Sequence, residues 1–101
     1  MPYDIGDCVT WKSGANGAMR QKVGTVILVV PPHIAIGRLI DTRDDINKQD
    51  YDFSALAYGF DRATESYLVA VPVVTATDKP KRRQKLYWPL VSLLRKYQEP
   101  V

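Results

Sequence analysis

One cysteine and one histidine stand in a chain of 101 residues. Cys8 alone cannot close an internal disulfide, and His33 leaves no second imidazole for a Cys/His zinc site. The same shortage thins the options for catalysis. Any Ser-His-Asp set would rest on His33, which follows Pro31-Pro32 and reads as a loop residue, and no glycine-rich phosphate loop is present. Cys8 has neither a second histidine nor a helix start to activate it. Long apolar runs are missing too: the longest, Val26 to Pro32, falls far short of the roughly 18–20 residues of a membrane helix. The opening Met1-Pro2-Tyr3-Asp4 is not a basic segment followed by an apolar stretch. A cytoplasmic, non-enzymatic protein without a cofactor and without a membrane anchor is the expectation.

Hydrophobic residues at 46% and charged residues at 25% suit an ordinary folded domain, and the length allows one, spanning 1–101. The net charge of +3 conceals a division. Residues 1–37 hold three basic residues against two acidic; 38–78 hold four against eight; 79–101 hold seven against one. An acidic, aromatic insert over 38–65, with Tyr51, Phe53, Tyr58 and Phe60, is too rich in rings for a plain linker and is expected to fold back and pack. Its aspartates lack the glycine and terminal glutamate of a calcium loop, so a solvated acidic face is expected rather than a metal site.

Four segments carry strand signals, in which β-branched and aromatic residues lie between turn residues. In Asp7 to Lys12 alternation turns Val9 and Trp11 inward. Val23 to Val30 is apolar on both sides after Thr25, as a central strand would be, and ends at Pro31-Pro32. Ser66 to Pro72 and Lys85 to Trp88 are the third and fourth. Ser13 to Ala18 reads as a hairpin loop, Ser54 to Tyr58 as one helical turn, and Pro89 to Tyr97 as a short terminal helix or 3₁₀ turn. Strands this few and this short exclude an immunoglobulin-like sandwich and leave a small, bent, all-β barrel of four to five strands.

Gly6-Asp7-Cys8-Val9-Thr10-Trp11 followed by Lys22-Val23-Gly24-Thr25-Val26-Ile27-Leu28-Val29-Val30 resembles the "GDxVxW … GxVxxV" opening of SH3-like small barrels, among them KOW and Tudor-type domains and short bacterial Tudor-like proteins. The resemblance covers about the first 30 residues. It implies a small barrel with a binding role, in which Gly6 and Asp7 turn into the first strand and Gly24 lets the second bend. It assigns no aromatic cage.

The strongest local signal is Lys79-Pro80-Lys81-Arg82-Arg83-Gln84-Lys85, a basic loop of five cations in seven residues without an acid. Cations that neutralise phosphates release condensed counterions, which gives salt-sensitive, weakly sequence-specific affinity for nucleic acid. Tyr87 follows the run as the expected exposed ring for base stacking, with Trp88 expected in the core; Arg20 and Lys22 join the basic surface. The nucleic-acid site expected is therefore Lys79, Lys81, Arg82, Arg83, Lys85, Arg20, Lys22 and Tyr87. The alternative is a protein-interaction or inhibitory accessory factor, bacterial or phage-encoded, that works through the acidic insert or a sheet edge. A solvated loop kept for solubility is the plainest reading of the same charge run.

Overall fold

The computed structural model describes residues 3–15, 18–54, 56, 59–72 and 84–97. Strands dominate: β1 (Cys8–Ala15), β2 (Ala18–Val30), β3 (Tyr51–Asp52), β4 (Ser66–Pro72), β5 (Gln84–Tyr87) and β6 (Arg95–Lys96), with one helix, α1 (Ile36–Asp41), and a 3₁₀ turn at Val91–Leu93. They form one mixed sheet in the order β3-β5-β4-β2-β1-β6, in which only the β3–β5 pair is parallel.

The hairpin is tighter than the sequence predicts. β1 and β2 pair from Cys8↔Thr25 to Ala15↔Ala18, so most of the expected Ser13–Ala18 loop is ladder and β2 begins five residues before Val23. Small residues with weak strand preference are held there by pairing.

The described strands make an open sheet with β3 and β6 at its edges, where a closed barrel was expected. A barrel has one interior, whereas this sheet has a core on each face. Val9, Trp11, Val26, Tyr67 and Val69 pack on the first face with Tyr3 and Leu94. Leu28, Val30, Leu68, Ala70 and Leu86 pack on the second with Ile36, Ile40 and Ile46. Both faces of β4 are therefore covered, and Ser66 through Ala70 are all buried. The cover on the second face comes from α1, whose Ile36 and Ile40 lie one helical turn apart, and from the insert, whose Tyr51, Phe53 and Leu56 pack against the same cluster. The insert folds back through Tyr51 and Phe53, whereas Phe60 is exposed and Tyr58 lies outside the described residues.

A bulge in β2 divides the two cores. Val26 pairs with Val69, but Leu28 pairs with Leu68, leaving Ile27 as the extra residue. Strict alternation would put Val26 and Leu28 on the same face; the bulge sends them to opposite ones. Two residues before Val26, Gly24 lies against β4, where a Cβ would meet the Ala70 carbonyl oxygen at 2.6 Å and Val69 Cγ1 at 2.6 Å.

At the C-terminal end, the segment expected as a helix or 3₁₀ turn over Pro89–Tyr97 supplies the 3₁₀ turn alone, starting at Val91, and then returns to the sheet as β6. Leu94 is buried, and its carbonyl accepts the Tyr3 hydroxyl at 2.7 Å, while Leu90 and Leu93 are exposed. Ser54 is a turn residue, and Ala55, Ala57 and Tyr58 of the expected helical turn lie outside the described residues. Among the described residues, no helix is long and apolar enough to cross a membrane.

Candidate nucleic-acid interface

Register decides which cations meet. Trp11 lies across from Lys22, and Ser13 across from Arg20, so Arg20 and Lys22 are on the face that carries Val9 and Trp11. On the other side of the sheet centre, Val69 pairs with Tyr87 and Val71 with Lys85, which brings Tyr87 and Lys85 to that same face. Residues that are distant in the chain thus converge. Lys22 Nζ stands 4.7 Å from the centre of the Tyr87 ring and Lys85 Nζ 5.5 Å from it. Lys22 Nζ also donates to the Tyr87 hydroxyl, at 3.4 Å. Trp11 meets Tyr87 edge-on, with ring centres 5.8 Å apart and planes at 63°.

The aromatic quadrupole attracts both ammoniums, worth about 0.5–1 kcal/mol each at exposed sites and up to about 2 where water is excluded. Among the described residues the ion pairs are Arg43–Asp45 and Lys96–Asp7, and neither includes Arg20, Lys22 or Lys85. Three cations on one face, two gathered by one ring, leave N–H donors without a carboxylate partner there. The arrangement suits phosphate oxygens, which take charge-assisted hydrogen bonds from ammonium groups and are held without base readout.

Tyr87 differs from its expected role. It is half-buried rather than an open stacking ring, because the face it shares with Trp11 is itself packed. Trp88, expected in the core, is also half-buried and belongs to the second face. Alternation suggested one wet and one dry aromatic; with a core on each face, both rings are partly covered. Trp88 is fixed by its Nε1, which donates to the buried Ser66 hydroxyl at 2.7 Å. Arg62 completes this anchorage: its guanidinium lies 3.9 Å from the Trp88 ring centre and donates to the Trp88 carbonyl at 2.7 Å and the Pro89 carbonyl at 2.8 Å. Burial pushes the Arg62 guanidinium below its ordinary pKa. Sequence reasoning passed over Arg62, the cation that ties the acidic insert to the end of β5.

Lys79, Lys81, Arg82 and Arg83 lie outside the described residues. In the chain they directly precede Gln84, the first residue of β5. His33 is exposed in a turn, with φ at 64°. Among the described residues, no group of three His, Cys, Asp or Glu side chains is arranged to hold a metal ion. No family model matches the chain, and no curated protein or solved structure is significantly similar to it.

Proposed function

We propose that this chain is a non-enzymatic module that binds nucleic acid through its phosphates, with Lys22, Lys85 and Arg20 as the cationic face and Lys79, Lys81, Arg82 and Arg83 extending it. The observation that carries the reading is the convergence of Lys22 and Lys85 on the Tyr87 ring on one face of the sheet, from the two strands that flank β4. Two lysines drawn together by folding concentrate positive charge in a way that a solvated loop does not require. Tyr87 then serves as the platform that positions ammoniums, and the phosphates contact the ammoniums rather than the ring. Recognition of this kind is weakly sequence-specific.

Kinship with SH3-like small barrels belongs to the same proposal. Supporting it are the Gly6 turn, with φ at 96°, leading into β1, and a long β2 interrupted by a bulge. The open sheet would then be a barrel relative whose second face is closed over by the insert.

The test is oligonucleotide binding measured across a salt gradient. Each lost phosphate contact lowers the slope of log K against log salt by roughly 0.7–0.9. The triple variant Arg20→Ala/Lys22→Ala/Lys85→Ala should bind more weakly with a shallower slope, and the variant of Lys81, Arg82 and Arg83 to alanine should do the same. Affinity and slope unchanged in the triple variant would overturn the assignment of this face.

A further inference from the structure

The opposite edge of the sheet carries a second, separate feature. β6 pairs with β1 only at Val9 and Thr10, although β1 runs on to Ala15. Among the described residues, no strand lies beside β1 from Trp11 onward on that side. The chain leading into β6 would continue this ladder if it were extended. Instead it coils as the 3₁₀ turn, and its N–H groups bond internally, Leu93 to the Leu90 carbonyl and Leu94 to the Val91 carbonyl. Cys8 gives its carbonyl to the N–H of Tyr97 on this side, so the period of two turns the peptide groups of Thr10, Lys12 and Gly14 toward the same edge. Lys12 and Gly14 therefore offer ladder donors and acceptors there.

An open groove of about 520 Å³ lies at this edge, with Thr10, Lys12, Gln21, Ser92, Leu93 and Arg95 among its walls. Lys12 and Arg95 charge it positively, no carboxylate lines it, and neither cation is in an ion pair among the described residues. Leu93, 47% exposed, adds an apolar wall. Arg95 pairs with Thr10, two residues from Lys12, so both cations lie on the face opposite Trp11.

We propose that this edge takes an extended acidic segment of a partner protein, which adds as a strand beside β1 from Trp11 onward, with carboxylates at every second position meeting Lys12 and Arg95. Ladder groups that no strand among the described residues pairs favour a polypeptide over a nucleic acid, since only a polypeptide supplies alternating N–H and C=O groups at the strand repeat. Charge complementarity sets the acidic class, and the two-residue period sets the spacing.

The probe is a capped, fluorescein-labelled peptide of alternating glutamate and valine, six residues long. It is titrated into the intact chain beside an equally long peptide with the same residues in blocks, and beside two N-methylated versions of the alternating peptide, one methylated at the odd amides and one at the even. The alternating peptide should bind best, and the N-methylated version registered on the ladder should lose at least about tenfold, a loss read on wild-type protein where folding is not in question. Lys12→Glu/Arg95→Glu should weaken the alternating peptide by about tenfold and leave oligonucleotide binding at the Tyr87 face unchanged. Absent peptide binding, equal binding by both N-methylated registers and the parent, or displacement of the peptide by an oligonucleotide would each overturn the proposal.

Discussion

Lys22 of β2 stands 4.7 Å above the Tyr87 ring of β5, two strands that are not neighbours in the sheet. With β4 between them, the contact crosses the width of the first face, and it is the folded sheet rather than chain proximity that joins a lysine and a tyrosine 65 positions apart. The ring and the hydroxyl make separable contributions. Tyr87→Phe keeps the ring face and loses only the bond to Lys22 Nζ, so oligonucleotide affinity should stay within about twofold. Tyr87→Ala removes the surface that holds both ammoniums, and affinity should fall several-fold, by the roughly 0.5–2 kcal/mol of the lost cation–π contacts. Fluorescence anisotropy at fixed salt distinguishes these outcomes; equal losses in both variants would point to the hydroxyl instead.

Gly24 is fixed by what lies next to it. An added methyl group would sit 2.6 Å from the Ala70 carbonyl oxygen, which belongs to the backbone of a strand covered on both faces and has nowhere to move. Gly24→Ala should destabilise the fold by about 1–3 kcal/mol, the range for overpacking a filled core. Urea denaturation reads this as a lower midpoint with an unaltered slope. An unchanged midpoint would mean that β2 and β4 separate easily at this point.

Arg62 is a clamp rather than a surface charge. Its fork donates to two consecutive carbonyls, those of Trp88 and Pro89, and its central carbon lies 3.9 Å from the Trp88 ring centre. Arg62→Lys keeps the charge but supplies no planar fork. It should cost roughly 1.5–3 kcal/mol, as expected for lost hydrogen bonds from a charged donor. Faster proteolytic cleavage near the exposed Phe60 should accompany the loss, whereas a lysine variant as resistant as the wild type would relegate the clamp to a passive contact.

Much of the strand content is legible in the sequence because alternation is a local signal. Val9 and Trp11 turn inward as their spacing predicts, and β4 matches its expected bounds of Ser66–Pro72. What escapes is non-local. The Ile27 bulge leaves no mark in composition, yet it moves Leu28 from the core of Val26 to the other one. Helix α1 is six residues long with a glycine inside it, too short to announce itself, and forms because Ile36 and Ile40 find the second face. The same limit governs the candidate site. Lys22, Lys85 and Tyr87 are each visible as residues of suitable chemistry, but their meeting depends on the registers Trp11↔Lys22 and Val69↔Tyr87. Arg62 was hidden because its partners are backbone carbonyls, which every sequence contains.

Tyr67 links stability to alkaline pH. Its ring is fully buried, and its hydroxyl donates to Glu65 Oε1 at 2.8 Å. Burial first, and then the bond to the Glu65 carboxylate, push the phenol up from 10.0 to about 12. In the unfolded chain the phenol releases its proton near 10, while the native state retains it up to about 12, so the native state binds more protons in that interval. The stabilisation is therefore complete below pH 10 and is lost as pH rises toward 12. Tyr67→Phe should cost about 1 kcal/mol at pH 8, from the lost hydrogen bond. Its urea midpoint should then fall less steeply than that of the wild type as the pH is raised above 10, so that the gap between the two closes, because phenylalanine has no proton to lose. Parallel midpoint curves for the two proteins from pH 8 to 12 would show that the phenol of Tyr67 ionises in the native state as readily as in the unfolded chain.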